Sequence, residues 1–219
     1  MSKLTLEYLV RPPKSKIENP PLLMMFHGYG SNEQDLFSFA EELPDELLII
    51  SARAPLSLGF GSYAWYTIHF DSNDASKFSD IPEAKDALNK IGDFIDDVIQ
   101  KYKVDTTNIF LFGFSQGTIL ITAFALNHPK KVQHVIALSG YVNEELLTKS
   151  LEENSNNNNP DFFVSHGSVD QVIPVDWARR TPGFLNNLGI KNSYQEYAVG
   201  HGVAPQNFFD LKSWIEERL

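Results

Sequence analysis

Apolar residues recur along this chain in two rhythms, the alternating or continuous runs of strands and the three-to-four spacing of helices. Residues 4–10, Leu-Thr-Leu-Glu-Tyr-Leu-Val, alternate as an edge strand does, and Arg11-Pro-Pro-Lys14 and Glu18-Asn-Pro-Pro21 punctuate the chain after that strand. Residues 22–26, Leu-Leu-Met-Met-Phe, form the continuous run expected of a strand buried on both faces. A short helix is expected over 33–43, stopped near Pro44, and another strand over 47–50. Residues 54–70 mix glycine, serine and aromatics too irregularly for a regular element. The clearest helix covers 79–103, where Ile81, Ala84, Leu88, Ile91, Ile95, Val98 and Tyr102 recur at helical spacing. Asp86, Asp93, Asp96 and Asp97 fall largely off that stripe and read as a solvated face rather than a metal site. Strands are then expected over 109–114, 132–138, 162–165 and 193–199, and helices over 116–127, 176–188 and 205–218. Residues 154–159, Asn-Ser-Asn-Asn-Asn-Asn, are a short low-complexity loop leading into Pro160.

Strand and helix thus alternate to the end of the chain, with no repeat and no linker. That pattern predicts one α/β domain over 1–219, a mostly parallel central sheet with helices on both faces and no large lid domain. In such sheets ligands bind beyond the carboxyl ends of the strands, so the chemistry belongs in the loops at those ends.

The strongest chemical signal is Gly113-Phe-Ser115-Gln-Gly117, between the strand ending near Phe114 and the helix opening at Gln116. G-x-S-x-G in a strand–turn–helix context is the nucleophile elbow. A serine at so tight a turn takes a strained backbone, and the flanking glycines remove side chains that would collide. The helix N-terminus then presents the Gln116 N–H beside the Ser115 hydroxyl. A nucleophilic serine needs a base, and the base an orienting acid. Asp170 follows the strand over 162–165, and His201 stands in Gly200-His-Gly202 between the last strand and the last helix. The order Ser115, Asp170, His201 is the nucleophile–acid–base order of α/β-hydrolases. Asp161 lies at the wrong end of its strand, and Asp176 caps or starts the next helix. His166 is the best rival to His201 but is expected to pack under the loop carrying Asp170. His69, His128 and His134 read as surface or satisfied polar histidines.

His27-Gly-Tyr29-Gly30 directly follows the buried strand. A glycine-rich turn there can donate a backbone N–H to a developing oxyanion, which would pair Tyr29 with Gln116 as the oxyanion hole. The competing dinucleotide fingerprint lacks its third glycine, because position 33 is Glu33, an acid that would repel a pyrophosphate. Gly59-Phe-Gly-Ser-Tyr-Ala-Trp65-Tyr66 has two readings: an apolar wall for the substrate, with Trp65 and Tyr66 in the pocket, or a core anchor beneath a loop.

Composition narrows the field. The 219 residues are 42% hydrophobic and 21% charged, an ordinary globular balance. Eighteen Lys and Arg against twenty-eight Asp and Glu leave a net charge of −10. Such a chain lacks the basic footprint of a nucleic-acid or anionic-membrane binder. Without cysteine, disulfides, thiolate catalysis, iron–sulfur clusters and Cys-based zinc sites all drop out. No His/Asp/Glu grouping has metal-ligand spacing, so neither a catalytic metal nor a cofactor is expected. The N-terminus has no apolar signal region, and the longest apolar runs are far too short to span a bilayer. The expectation is a cytoplasmic protein without stable membrane insertion.

Phe26-His-Gly-Tyr-Gly-Ser-Asn-Glu33, Ala64-Trp-Tyr66, Gly113-Phe-Ser-Gln-Gly117, His166-Gly-Ser-Val-Asp170 and Gly200-His201 together resemble the phospholipase/carboxylesterase family. That family includes bacterial carboxylesterases and acyl-protein thioesterases, and the resemblance runs from about Leu22 to the C-terminus. It implies a compact α/β-hydrolase acting on short to medium acyl esters or thioesters. It also implies Ser115 as nucleophile, Asp170 as acid, His201 as base, and Tyr29 and Gln116 as oxyanion donors. The thioesterase branch usually carries H-G-L-G-D at the first motif. His27-Gly-Tyr-Gly-Ser-Asn32 sets this chain nearer the bacterial esterases. Some family members dimerise, so the apolar stretch 60–66 is either pocket or homodimer interface. The reading is therefore a serine carboxylesterase working through an acyl-enzyme on a small-molecule ester. Its rivals are an acyl-protein thioesterase or lysophospholipase and, in another class, a non-catalytic binding protein on a hydrolase scaffold.

Overall fold

The computed structural model describes residues 4–69, 78–148 and 159–219. Phe70, at the end of the irregular stretch, and residues 154–158 of the asparagine-rich loop lie outside the described residues.

The strands are β1 (Tyr8–Arg11), β2 (Pro21–Phe26), β3 (Leu48–Ala52), β4 (Leu56–Gly59), β5 (Ser62–Ala64), β6 (Asp105–Phe114), β7 (His134–Leu138), β8 (Asp161–Gly167) and β9 (Asn192–Tyr197). The helices are α1 (Gln34–Phe37), α2 (Ile81–Tyr102), α3 (Gln116–Asn127), α4 (Val175–Ala178), α5 (Arg180–Asn187) and α6 (Pro205–Glu216), with 3-10 turns at Ala40–Glu42 and Glu144–Leu146. Seven strands form one sheet in the order β1-β3-β2-β6-β7-β8-β9. β1 runs antiparallel to β3, and every other pairing is parallel. This is the mostly parallel sheet expected of an α/β-hydrolase.

Burial on both faces explains the continuous apolar strands. Within β2, Leu22, Met24 and Phe26 join the core cluster under α2 and α3, while Leu23 and Met25 join the cluster under α1 and α6. Successive residues of a strand point to opposite faces, so a strand covered twice has no polar position to spare. α2 owes its helix to the stripe Ala84, Ala87, Leu88, Ile91, Phe94, Ile95 and Val98, all buried. Asp80 caps it, its side chain accepting from the Glu83 N–H at 3.1 Å. On its outer face Asp86 pairs with Lys90, Asp96 pairs with Lys131, and Asp97 accepts from the Thr5 N–H and hydroxyl.

Three elements differ from the sequence expectation. The helix expected over 33–43 is α1 (Gln34–Phe37) followed by a separate 3-10 turn at Ala40–Glu42. The stretch read as irregular contains the β4–β5 hairpin, turned by Gly59, Phe60 and Gly61 in left-handed conformations (φ 87°, 51° and 77°). The helix expected over 176–188 is two helices broken at Arg179. Pro182 accounts for the break: it has no N–H to give the carbonyl of Ala178, four residues back.

The carboxyl ends of the parallel strands lie along one edge of the sheet. The loops leaving β2, β6, β8 and β9 carry His27 to Gly30, Ser115, Asp170 and His201. Among the described residues no helix is long and apolar enough to cross a membrane.

Candidate active site

Ser115 joins β6 to α3 with φ 54° and ψ −115°. That conformation is sparsely populated by non-glycine residues, costs about 1–3 kcal/mol and persists only where its surroundings enforce it. They do. The Ser115 N–H donates to the Leu138 carbonyl at 2.9 Å, and its own carbonyl accepts from Ile119 at 3.2 Å. The flanking glycines are steric requirements. A Cβ on Gly113 would lie 2.6 Å from the Thr118 nitrogen, and one on Gly117 would lie 2.0 Å from the Phe26 carbonyl oxygen. The elbow can therefore press against the end of β2 only with glycine at both places.

The structure brings Ser115, His201 and Asp170 together. His201 Nε2 lies 2.9 Å from Ser115 Oγ, and His201 Nδ1 lies 2.7 Å from Asp170 Oδ2. A carboxylate only accepts, so Nδ1–H donates to Asp170 and Nε2 is left to accept from the serine hydroxyl. Asp170 Oδ1 accepts the Val172 and Ile173 N–H groups at 2.8 and 3.0 Å. Burial alone would raise the pKa of this carboxyl. The ring N–H groups of His166 and His201, with the Ile173 N–H, outweigh burial and hold it well below the usual carboxylate range. Asp170 is thus a fixed anion behind the histidine. The loop carrying His201 crosses β8 at Gly167, where a Cβ would meet the Gly200 carbonyl oxygen at 2.0 Å.

The first-motif turn packs directly on the serine. A Cβ on Gly28 would lie 3.2 Å from Ser115 Cβ, so the chain passes Tyr29 across the mouth of the elbow. Gln116 opens α3, so its N–H has no partner within the helix. His27 holds the turn from beneath. Its Nε2 accepts from the Ala54 N–H at 3.1 Å, which leaves Nδ1–H to donate to the Gly28 carbonyl at 2.7 Å. Burial pushes the His27 pKa down and keeps the ring neutral.

Trp65 and Tyr66 require a correction. They are 1% and 0% exposed and do not line the cavity at Ser115. Their polar atoms tie the site together instead. The Trp65 indole N–H donates to the His27 carbonyl at 2.9 Å. The Gln116 side chain accepts from the Trp65 N–H at 2.8 Å and donates to the Tyr66 carbonyl at 2.7 Å. Rings this large enter the core once their polar groups are satisfied, and here the partners are the two loops of the expected oxyanion hole. The hairpin braces the same turn. Gly30 donates to the Tyr63 carbonyl at 2.9 Å, and Tyr63 donates to the Ser31 carbonyl at 2.8 Å.

Ser115 opens on a cavity of about 250 Å³ lined by Tyr29, Ile68, Phe78, Ser115, Gln116, Ile119, Val172, Ile173 and His201. Apart from Tyr29, its apolar walls come from four separate segments, and sequence reasoning missed them. The only local signal was the Val172-Ile173 pair directly after Asp170. A larger crevice of about 520 Å³, lined in part by Tyr141, Trp177 and Phe184, contains none of the three residues Ser115, Asp170 and His201. Phe78, which lines the first space, and Trp177, which lines the second, meet edge-on with ring centroids 5.6 Å apart.

The rival acids are engaged elsewhere. Asp161 is bound by Arg218 at 2.7 and 2.9 Å, and Asp176 is an exposed partner of Arg179. His166 lies buried beneath the Asp170 loop. Glu33, the acid that argued against a dinucleotide, is buried and ion-paired with Arg53, which lies over the Tyr63 ring.

A mostly parallel sheet with a strand–serine–helix elbow at its carboxyl edge is the α/β-hydrolase fold. Solved structures with this fold superpose closely. Esterase PE8 has a TM-score of 0.84 at 23% identity, covering 98% of this chain and 99% of that one. The Bacillus cereus carboxylesterase has a TM-score of 0.79 at 20% identity, covering 98% and 95%. The profile of the Phospholipase/Carboxylesterase family matches residues 9–219, and this chain belongs to that family. It is accordingly a serine hydrolase of carboxylic esters. Similar curated proteins include acyl-protein thioesterase 1 of Candida albicans, 24% identical over 94% of this chain and 96% of the relative. A probable carboxylesterase of Oryza sativa is 26% identical over 92% and 79%.

Proposed function

We propose that this chain is a cofactor-independent carboxylesterase that hydrolyses short to medium acyl esters through an acyl-enzyme. One observation carries the reading: an unbroken hydrogen-bonded relay from Asp170 through His201 to Ser115 ends at a small apolar cavity. As Ser115 Oγ bonds to the ester carbonyl carbon, its proton passes to His201 Nε2. The carbonyl oxygen becomes an oxyanion held by the Tyr29 and Gln116 N–H groups. The carbon–oxygen bond to the alcohol then breaks, and His201 returns its proton to the departing oxygen. A water molecule, deprotonated by His201, attacks the acyl-serine. The second tetrahedral intermediate collapses to acid and free Ser115. Asp170 keeps His201 in the tautomer that can accept at Nε2 and balances the imidazolium formed in each half-reaction.

Hydrolysis of p-nitrophenyl esters from acetate to decanoate, by wild type and Ser115→Ala in parallel, tests the assignment. The expected outcome is a wild-type optimum at short to medium chains and a loss of kcat by about 10⁴–10⁶ in Ser115→Ala. A loss under tenfold would remove Ser115 from the mechanism. The names of the thioesterase relatives favour a second reading, acyl-protein thioesterase. An optimum at long acyl chains, or a kcat/KM higher on thioesters than on matched esters, would move the assignment there. If wild type turns over no ester and a fluorophosphonate fails to label Ser115, the binding-protein reading replaces both.

A further inference from the structure

His166 is a buried titratable side chain that this mechanism leaves unused. His166 stands near the end of β8, and its side chain and that of Asp170 are both fully buried. Its Nε2 lies 2.9 Å from the Ile173 carbonyl oxygen and 3.2 Å from Asp170 Oδ2. Its Nδ1 is buried without a hydrogen-bond partner. Only Nε2 faces acceptors, so the ring carries its proton there and directs that N–H edge between a carbonyl and a carboxylate. Oδ2 is also the oxygen that receives His201 Nδ1–H at 2.7 Å. One carboxylate oxygen therefore sits between two imidazoles.

We propose that His166 is a positioning residue of the relay: its N–H edge fixes the Asp170 carboxylate and offsets part of its charge, and so sets how strongly Asp170 acts on His201. This role rests on the relay assigned above. The geometry supports it in three ways. First, Ile173 donates to Asp170 Oδ1 and accepts from His166, so the ring closes the Asp170–Ile173 turn on itself. Second, the close packing at Gly167 leaves the neighbouring backbone little room to shift. Third, the other charged groups around the ring are already committed. Glu196, the ladder partner of His166 on β9, is held by Arg179 at 2.7 and 2.9 Å and by the Tyr194 hydroxyl at 2.8 Å. Asp176 pairs with the same Arg179. Asp170, with His201 beyond it, is then the acid left for the His166 edge to act on.

The partial positive charge of an N–H edge 3.2 Å from Oδ2 weakens the negative charge felt by His201. Removing it should strengthen the His201–Asp170 hydrogen bond and favour the imidazolium. The test compares His166→Leu and His166→Asn, which lose the donor at the Nε2 position, with His166→Gln, whose amide can restore it. Melting curves establish that each variant is folded, and His166→Asn serves if the leucine variant is not. Two readouts are taken. One is the acid limb of kcat/KM against pH on p-nitrophenyl butyrate. The other is the far-downfield proton resonance of the His201–Asp170 hydrogen bond, which needs no substrate. In the donor-less variants kcat/KM should fall about two- to threefold on the acid side, where the favoured imidazolium cannot act as base, and hold on the alkaline plateau. The acid limb should move to higher pH by several tenths of a unit, and the resonance should move downfield. His166→Gln should return both readouts toward wild type. An unmoved limb and resonance in a folded donor-less variant, or a glutamine variant no better than leucine, would reduce His166 to a packing group. A moving resonance in a protein that hydrolyses no ester would sink the esterase reading and leave the role of His166 standing.

Discussion

At Gly117 a single hydrogen decides whether the elbow can exist. Adding one methyl group there places carbon 2.0 Å from the Phe26 carbonyl oxygen, a backbone atom at the end of a central strand that cannot swing away. Gly117→Ala should therefore lower stability by about 3 kcal/mol or more, or prevent soluble expression, as thermal melts would show. Gly202→Ala is the control, because a Cβ there meets nothing within 4 Å. Ser115, Asp170 and His201 were each legible in the sequence, because each stands in a short motif at a strand's carboxyl end. Trp65 and Tyr66 were not legible in the same way. A loop's composition says that its aromatics are buried somewhere, but not whether a ring faces the cavity or the core behind it. Phe78, Ile68 and Ile119 left no trace, since a wall assembled from distant segments has no local pattern.

The β4–β5 hairpin and its continuation through Trp65 act as a brace rather than a wall. The hairpin bonds to the Gly30–Ser31 turn, Trp65 bonds to the His27 carbonyl, and the Gln116 side chain grips the same strand from the elbow. Two loops that share no sequence motif are thereby held in fixed relation. Trp65→Phe keeps most of the buried ring and removes the indole N–H. It should lower kcat by about tenfold with KM changed less than threefold, because a loosened donor is felt mainly when the oxyanion forms. Steady-state kinetics on p-nitrophenyl butyrate would check this, and a raised KM with kcat unchanged would assign Trp65 to substrate binding instead. The long strands and helices were legible from period alone. The hairpin was not, because strands of four and three residues around three left-handed positions carry too little alternation. The break at Arg179 was foreshadowed by Pro182, whose missing N–H outweighs the helical spacing around it.

At the scale of the whole molecule, two histidines drawn wholly or partly out of water make stability depend on pH. Burial pushes His134 down to about 4, and it lowers His27 as well. Both rings are neutral in the folded state where the unfolded chain, with histidines near 6.5, has begun to protonate. The unfolded state then binds more protons, so stability falls as pH drops from about 6.5 toward 4. His134 packs 4.5 Å from Phe110 and edge-on to Trp214, so His134→Phe keeps the contact and removes the proton site. Because the ring is only partly enclosed, the variant should recover about 1 kcal/mol of the acid-side loss at pH 4. Denaturant melts at pH 7 and pH 4 would measure it, and parallel slopes for variant and wild type would locate the sensitivity elsewhere.

The φ of 54° at Ser115 also has a bearing on how such a protein drifts and how it is engineered. Glycine would adopt that backbone freely, so the side chain proposed to do the chemistry sits where the fold would rest more easily without one. A screen that rewards heat resistance and never assays turnover would accept glycine at position 115 and discard the proposed nucleophile. Descendants that lost their substrate would be free to take the same step, ending as sturdier, inert copies of this chain.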